Sequence, residues 1–254
     1  MKKQIEIRAA DRETSMTDFH THILPCMDDG SGSAAESLNM LRSLRAQGVK
    51  KVVATPHFYP DRENPADFLA RRSKSAELLL QAAREMEEEL PSLCQGCEIA
   101  YFGGMAKSDL VLDLCIEGTR TVLVEMPIEK WSRAVIDEIV ALKRVVGLDV
   151  VIAHVERYAK YQSSEVMADL SDAGVTFQIN CGAFDSLWGR RLAMKMISAG
   201  ESVVLGSDCH GDRYRKPDVT RAFETVAKKY GQNELEKIEK KCDILLKNAC
   251  FVLN

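Results

Sequence analysis

The sequence predicts an α/β protein built around a parallel sheet, and three observations carry this prediction. Short, β-branched apolar runs recur along the chain, each flanked by Gly, Pro or Asp. Amphipathic stretches of helical length separate these runs. Seven such strand–helix units follow one another within 254 residues. Because alternating strands and helices form parallel sheets through right-handed crossovers, seven units in one chain indicate a closed or nearly closed barrel.

The individual elements follow from local patterns. The β-branched apolar runs predict strands at 16–20, 50–55, 93–99, 121–125, 149–153, 175–180 and 202–206. Helical spacing of apolar residues, as at Leu38 and Leu41 in a stretch that ends at Gly48, predicts helices. They cover 33–47, 64–90, 131–146, 163–173, 187–199, 217–230 and 233–248. The long, charged stretch 64–90 is a helix or helix pair, and we interpret it as a solvated face rather than a subunit contact.

Composition and patterning limit the class of protein. Residues 1–15 are polar and poorly patterned, so we predict an N-terminal extension before one folded domain, 16–254. The formal net charge of -4 shows no basic excess of the kind that nucleic-acid binding needs. No window approaches the roughly 18 apolar residues of a spanning helix, and the N-terminus has no apolar core for a signal peptide. We therefore expect a cytoplasmic protein without direct membrane insertion.

The eight cysteines show no regular disulfide framework, which agrees with a cytoplasmic location. Cys115, Cys181 and Cys250 lie in apolar segments and are expected to be reduced core thiols. Cys94 and Cys97 form a CxxC that could be a zinc knuckle or a redox pair. Because no second CxxC or CxxH accompanies it, we interpret the pair as plain thiols.

All five histidines of the chain lie at or near the ends of predicted strands. They are His20, His22, His57, His154 and His210, and four carboxylates occupy comparable positions: Asp29, Glu98, Glu125 and Asp208. The carboxyl ends of barrel strands meet on one face, and i, i+2 spacing puts two side chains of one strand on the same side. A single such residue is more simply a core histidine or half of a salt bridge. Together they predict one polynuclear metal centre, since buried carboxylates need a partner.

This set of ligands indicates the chemistry. Imidazole and carboxylate ligands without thiolates suit Mn²⁺, Fe or Zn²⁺. Five histidines and at least four carboxylates are too many for one ion and enough for two or three. Ions about 3.5–4 Å apart can clamp both the attacking and the leaving oxygen of a displacement at phosphorus. The sequence therefore predicts metal-dependent hydrolysis of a phosphoester.

In their order along the chain, these nine residues resemble the motifs of the PHP (polymerase and histidinol phosphatase) superfamily. Residues 28–30 (Asp-Asp-Gly) and 152–158 (Ile-Ala-His-Val-Glu-Arg-Tyr) resemble, more narrowly, the bacterial PHP-type tyrosine phosphatases of capsule and exopolysaccharide clusters, the CpsB/CapC type. The resemblance runs from about residue 16 to the C-terminus. It implies a PHP fold, a distorted TIM-like (β/α)7 barrel, with 16–254 as the phosphatase domain.

The resemblance also implies roles for individual residues. One ion would be held by His20, His22, Glu98 and Asp208, a second by Glu98, Glu125 and His154, and a third by Asp29, His57 and His210. Manganese is the expected metal, with iron or zinc as alternatives. Arg157 would bind the phosphate, together with a second arginine after the last histidine. Arg215 fits that second role best, and Arg213 is close enough to leave the assignment open.

The implied substrate is a phosphotyrosine protein, namely a bacterial tyrosine kinase that controls polysaccharide assembly, and a homo-oligomer is compatible with the resemblance. Alternatives are a histidinol-phosphate phosphatase with the same metals and a non-catalytic regulator that keeps the fold. A DNA-processing exonuclease is disfavoured by the acidic balance. Cys209 and Arg215 also fit the C-x5-R spacing of cysteine-dependent phosphatases, but bulky, charged residues lie between them.

Overall fold

The computed structural model describes residues 16–247 and 249–253, so the predicted extension 1–15 lies outside the described residues. Within them the chain is an α/β protein whose strands alternate with helices. The strands are β1 Met16–Thr21, β2 Val49–Ala54, β3 His57–Phe58, β4 Ser92–Gln95, β5 Glu98–Ala100, β6 Thr121–Glu125, β7 Asp149–Ile152, β8 Thr176–Asn180 and β9 Val203–Gly206. The α-helices are α1 Ala34–Ala46, α2 Pro65–Ala83, α3 Leu110–Asp113, α4 Arg133–Arg144, α5 Ser164–Asp172, α6 Leu187–Ser198, α7 Thr220–Tyr230 and α8 Gln232–Leu246. Short 3-10 helices cover Met105–Lys107, Val155–Arg157 and Cys181–Asp185.

The strands form two parallel sheets, as the alternation predicted. One has the order β1-β2-β4 and the other the order β3-β5-β6-β7-β8-β9. The segment that follows β9, the last strand of the second sheet, forms backbone hydrogen bonds with β1 of the first sheet and with the residue after it. The Asp208 N–H donates to the His20 carbonyl at 2.8 Å, and the His22 N–H donates to the Cys209 carbonyl at 3.0 Å. These bonds bring the two ends of the strand series together.

The predicted strand 93–99 is split into β4 and β5, whereas the predicted strand 50–55 matches β2 and is followed, after Pro56, by the separate short strand β3. Pro56 has no N–H for a ladder bond, so the strand is interrupted there. At Gly96 an added Cβ would lie 2.9 Å from Cγ1 of Ile116, so only glycine permits this close approach. Beyond the two breaks, His57 pairs with Glu98 in the parallel ladder between β3 and β5. The sequence prediction missed β3 and the break between β4 and β5, and these two features place two candidate ligands side by side.

An apolar cluster that takes residues from both sheets shows at which end of the strands a polar site can form. It contains one residue from each of several strands, Phe19, Val53, Leu123, Val151 and Val204 among them, and Leu245 and Leu246 of α8 complete it. Because α8 packs against this interior cluster, that part of the strand series is filled by apolar side chains. The polar side chains gather at the carboxyl ends of the strands. A larger apolar cluster lies between the strands and the surrounding helices.

The predicted helix at 64–90 is shorter than expected, since α2 ends at Ala83. The segment after it carries a run of acidic residues that turns toward α1. There Glu88 forms an ion pair with Arg42, and Glu89 forms one with Arg45. These contacts bind the segment to a neighbouring helix instead of prolonging α2.

Two cysteine predictions are wrong, that of Cys250 as a reduced core thiol and that of Cys94 as a plain thiol of the CxxC. Cys250, expected as a reduced thiol, is disulfide-bonded to Cys94, and their Cα atoms are 4.1 Å apart. Leu93 and Phe251 exchange two backbone hydrogen bonds of 2.9 Å, which bring the neighbouring cysteines together. Cys97 does not pair with Cys94 and is a free, buried thiol, as are Cys115 and Cys181. The CxxC is therefore neither a zinc knuckle nor a redox pair within the described chain.

Candidate metal centre

The strand ends bring all nine predicted ligands to one place. His20 lies in β1, His57 begins β3, Glu98 begins β5 and Glu125 ends β6. The others stand in loops that directly follow strands: His22, Asp29, His154, Asp208 and His210. Because parallel strands direct their carboxyl ends to the same edge, residues far apart in sequence converge there. Six of these nine residues are buried, His57 and Glu125 are half-buried, and Asp29 has 69% of its side chain exposed.

The innermost group surrounds the imidazoles of β1. Nε2 of His20 and Nε2 of His22 are 3.1 Å apart. Oε2 of Glu98 lies 3.3 Å from the first and 3.4 Å from the second of these nitrogens. Oδ1 of Asp208 lies 3.6 Å from Nε2 of His20 and 3.5 Å from that of His22. Four side chains thus direct nitrogen and oxygen atoms to one point, as the ligands of a metal ion do.

A second group lies on the side of β5 and β6. The ligand atoms of His57, Glu98 and Glu125 lie within 4.8 Å of one another. Nε2 of His154 lies 2.7 Å from Oε1 of Glu98 and 3.7 Å from Oε1 of Glu125. Glu98 contacts both this group and the innermost one, so its two oxygens can bridge two ions.

The third group lies toward solvent. His22, Asp29, His57 and His210 bring ligand atoms within 4.8 Å of one another. Oδ1 of Asp29 lies 3.6 Å from Nε2 of His57 and 3.5 Å from Nε2 of His210. The exposed Asp29 leaves this group open to solvent, where a substrate can approach.

Two buried atoms of the centre support its reading as a metal site. Oε2 of Glu98 and Nδ1 of His57 are buried and make no hydrogen bond within the described chain, although only 3.0 Å separates them. A buried carboxylate oxygen without a hydrogen bond carries a large desolvation cost. Coordination of a divalent cation would remove that cost, and nitrogen and carboxylate donors suit such an ion. The residues present therefore fit the expected metal.

The pKa values show how strongly these groups perturb one another. Burial alone would raise the pKa of Glu98, but the charge of His20 and a hydrogen bond from His154 hold it well below its usual range. Burial raises the pKa of Glu125, and the nearby charge of Glu98 raises it further. Burial, together with the positive charges of His22 and Arg215, lowers the pKa of His210 to about 4. A neutral His210 offers a nitrogen lone pair at neutral pH, as a metal ligand must.

A layer of residues behind the ligands orients the imidazoles. Oε1 of Gln178 accepts a hydrogen bond from the His154 N–H at 2.7 Å and lies 2.9 Å from Nδ1 of His20. Since this oxygen can only accept, Nδ1 of His20 must carry a proton, which leaves Nε2 of the neutral ring free to bind a cation. Sequence reasoning missed Gln178, and a single glutamine inside an apolar strand was the only signal for it.

Asp28 and Tyr158 act in the same way. Oδ2 of Asp28 lies 2.6 Å from Nδ1 of His22 and accepts a hydrogen bond from the His57 N–H at 2.8 Å. The Tyr158 hydroxyl lies 3.0 Å from Nδ1 of His154 and is fully buried. Of the adjacent Asp28 and Asp29, the sequence predicts only Asp29 as a candidate ligand. In the structure Asp28 orients the rings and Asp29 faces the outer group.

Two arginines lie beside the centre. Both Arg157 and Arg215 form an ion pair with Oδ2 of Asp208, the second at 2.5 Å, and Nη1 of Arg215 donates to Nε2 of His210 at 2.9 Å. Arg213 does not contact the centre: its side chain is 89% exposed and its charged neighbour is Asp212, at 3.9 Å. Of the two arginines that the sequence left open, Arg215 is therefore the one whose guanidinium lies at the ligands.

Three residues of the site have left-handed backbones. The φ angles are 32° at His154, 53° at Asp208 and 44° at Arg215. This region favours glycine or asparagine, and other residues occupy it only where the surroundings hold them. The chain thus keeps strained backbone where it turns from strand ends into the loops that carry the ligands.

The aromatic residues after His57 differ in their roles. Phe58 is fully buried and packs edge-on against Phe68 at 5.1 Å between ring centroids. Tyr59 stacks on the His57 ring at 5.4 Å, and the Arg62 guanidinium lies 4.1 Å from the centre of the Tyr59 ring. Phe58 therefore packs the loop, whereas Tyr59 lies at the metal centre, where a substrate ring could contact it.

The C-x5-R alternative is disfavoured by the surroundings of Cys209. The thiol is fully buried, and burial and the charge of Asp18 raise its pKa well above the usual range. A nucleophilic cysteine needs the opposite, an accessible thiolate with a lowered pKa. The arrangement supports metal-assisted chemistry, with Arg157 and Arg215 as the groups that can hold an anion.

Fold and site together define an α/β protein with candidate metal ligands at the carboxyl ends of its parallel strands, beside two arginines. Residues 16–253 match the family described as capsular polysaccharide synthesis, CpsB/CapC, and the chain belongs to that family. The tyrosine-protein phosphatase YwqE of Bacillus subtilis is 28% identical over 244 residues, 92% of each chain. The tyrosine-protein phosphatase CpsB of Streptococcus pneumoniae is 28% identical over 239 residues, 88% of this chain and 94% of its own.

A comparison with solved structures supports the same family assignment. A structure from the work on YwqE of Bacillus subtilis and CpsB of Streptococcus pneumoniae, described as metal-dependent tyrosine phosphatases, superposes with a TM-score of 0.81 at 26% identity, covering 93% of this chain and 97% of that one. Histidinol phosphate phosphatase from Lactococcus lactis gives a TM-score of 0.54 at 12% identity, covering 89% and 94%. The second likeness is one of fold alone.

Proposed function

We propose that this protein is a metal-dependent protein-tyrosine phosphatase. The observation that carries the proposal is the convergence of five histidines and four carboxylates at one strand edge, with two arginines beside them. Family membership and the phosphatases YwqE and CpsB support it. By the same kinship we propose that the substrate is a bacterial tyrosine kinase that controls capsule or exopolysaccharide synthesis.

We propose two or three divalent ions, manganese first and iron or zinc as alternatives. The ligand sets are those expected from the sequence: His20, His22, Glu98 and Asp208; Glu98, Glu125 and His154; Asp29, His57 and His210. The three groups of neighbouring ligand atoms support this division. Bound divalent ions supply Lewis acidity at the phosphoryl group and lower the pKa of coordinated water toward about 7.

The protein's own groups position the substrate. The guanidinium groups of Arg157 and Arg215 offer paired N–H donors that match phosphate oxygens, so they would bind and orient the phosphoryl group. In the free protein both donate to Asp208, and a phosphate could accept some of those hydrogen bonds. A tyrosine phenolate, with a pKa of about 10, leaves more readily than an alkoxide, so the demand for a general acid is small.

We also propose that 16–254 is one phosphatase domain whose two sheets close into a distorted seven-stranded barrel of the PHP type. In this view β2 with β3, and β4 with β5, are two interrupted strands. The hydrogen bonds between the residues after β9 and the end of β1 support closure. The apolar cluster that takes residues from both sheets supports it as well.

None of the described helices combines the length and apolar composition that crossing a bilayer requires. The cytoplasmic location, the kinase partner and a homo-oligomer stay predictions.

The deciding experiment compares two substrates in the presence of added Mn²⁺. A phosphotyrosine peptide and histidinol phosphate are incubated with the protein, with EDTA and vanadate as inhibitors. We expect peptide turnover that EDTA abolishes. Turnover of histidinol phosphate alone would support the metal site but show that the substrate is histidinol phosphate and not a phosphotyrosine protein. Bound metal without turnover of either would favour a non-catalytic regulator.

A further inference from the structure

A large groove lies between α6 and α7, outside the metal centre. Its volume is about 1250 Å³, and Ala159 and Lys160 line one end of it. Pockets for small molecules have volumes of roughly 300–1,000 Å³. The groove therefore has room for a stretch of extended peptide.

The groove is basic in a protein that is acidic overall. The cationic residues that line it are Lys160, Arg190, Arg191, Lys195, Lys228 and Lys229. Over the described residues no carboxylate lines it, and none of these six side chains forms an ion pair with a described residue. Nε of Arg190 is buried and has no hydrogen-bond partner there. With a formal net charge of -4 for the chain, this is a local concentration of positive charge that suits an anionic ligand.

The groove begins next to the candidate phosphate-binding residue. Helix α6 packs against the 3-10 helix Val155–Arg157. Ala159 follows Arg157 by two residues, and consecutive Cα atoms are about 3.8 Å apart, so the two Cα atoms lie within about 8 Å. A substrate chain whose phosphate contacts Arg157 can therefore continue into the groove within a few residues.

We propose that this groove binds the acidic segment that flanks the phosphotyrosine of the substrate, so that polyanionic segments are selected over isolated phosphotyrosines. The inference rests on the proposed phosphatase function and names its substrate class. Leu187 and Trp188 at the start of α6 have exposed fractions of 79% and 55%, and they offer apolar surface to the same segment. The position of the groove beside Arg157 suits a chain that also carries the phosphotyrosine. The carboxylate of Glu224 on α7 lines an adjoining depression instead.

The test compares a charge-reversed groove with a charge reversal elsewhere. Arg191→Glu with Lys195→Glu changes α6, and Lys50→Glu with Lys74→Glu is the matched control, at exposed positions on β2 and α2. Three substrates are used: a phosphotyrosine peptide with Asp and Glu flanks, the same peptide with Ser and Asn flanks, and free phosphotyrosine.

We expect the groove variant to raise KM for the acidic peptide about tenfold, since several attractive charge contacts become repulsive. Its KM for the neutral peptide and for free phosphotyrosine stays unchanged, and the control variant behaves as the wild type does. Added salt raises KM for the acidic peptide in the wild type, because these contacts are screened. An unchanged KM for the acidic peptide in the groove variant, or an equal rise in the control, overturns the proposal.

Two further measurements separate this proposal from others. In the first, vesicles of phosphatidylglycerol are sedimented with both variants. If the groove variant loses binding to the vesicles while its KM for the acidic peptide is unchanged, the ligand of the groove is a membrane surface and the proposal is overturned. Failure of the phosphatase function appears as no turnover of any phosphotyrosine substrate by the wild type. Fluorescence anisotropy with the labelled acidic peptide then still tests the groove. Binding that the groove variant weakens supports it, and absence of binding overturns it.

Discussion

Replacing Gln178 by methionine tests whether the residues behind the ligands control metal binding. Oε1 of Gln178 receives hydrogen bonds from Nδ1 of His20 and from the backbone N–H of His154. The side chain is fully buried, so no water replaces the lost acceptor. Methionine has a similar volume, which limits the cavity or clash that the change creates.

The structure sets the size of both effects. Each of the two donors left without an acceptor costs about 1–3 kcal/mol, so the free energy of unfolding should fall by roughly 2–6 kcal/mol. Without its acceptor the His20 ring is no longer fixed with Nε2 toward the cluster, and loss of such a supporting hydrogen bond lowers metal affinity about 10- to 100-fold. The two effects are measured separately.

Metal affinity is measured by competition with a chelator, and stability by urea unfolding of the metal-free protein. The control is Thr176→Val on the same strand, where the buried hydroxyl contacts Ser202 at 3.1 Å, away from the ligands. We expect the control to lose some stability and to keep wild-type metal affinity. A Gln178→Met protein that binds metal as tightly as the wild type would refute the reasoning.

Three other predictions use different parts of the site and core. Arg157→Ala and Arg215→Ala should each lower turnover of a phosphotyrosine peptide by about 10²-fold or more with metal content unchanged by elemental analysis, because each removes a donor to the phosphate; full turnover in either excludes that arginine. Cys209→Ala should retain turnover, since a buried thiol of raised pKa is no nucleophile, and an inactive but folded variant would revive the cysteine mechanism. Burial raises the pKa of Glu239 to about 7 from an ordinary value near 4.5, so the folded state holds a proton that the unfolded state has lost, and stability falls as pH rises between those values. Between pH 5 and pH 8 the free energy of unfolding of the wild type should fall by up to about 3 kcal/mol through this group, and Glu239→Gln should remove that fall. Urea unfolding of both proteins at the two pH values measures it, and an equal loss of stability in both proteins would contradict the prediction.

Much of the site could be predicted because its signals are local. A histidine or carboxylate at the end of an apolar run, such as His154 after β7, is visible in a few residues of sequence. The features that were missed depend on distant contacts. Gly96, between β4 and β5, lies so close to Ile116 that an added Cβ would be 2.9 Å from Cγ1 of that side chain, and Cys94 is bonded to Cys250 across a sequence separation of 156 residues. No local pattern contains that information.

The same limit applies to the residues behind the ligands. Gln178 is one polar residue in the apolar strand β8, and only its position between His20 and His154 gives it a role. The choice between Arg213 and Arg215 depended on the path of the loop after β9, where Arg215 itself has a positive φ. Sequence spacing places an arginine near a site, whereas loop geometry decides which guanidinium enters it.

The left-handed backbones at His154, Asp208 and Arg215 have a consequence for laboratory evolution. Each holds a conformation that costs of order 1–3 kcal/mol for such a side chain, so replacement by glycine or asparagine relieves strain. A library selected only for heat resistance, without an activity screen, should therefore accumulate substitutions at these three positions early. We expect its most heat-resistant members to be inactive, because the residues that the fold accommodates least well are those to which the proposed chemistry assigns a role.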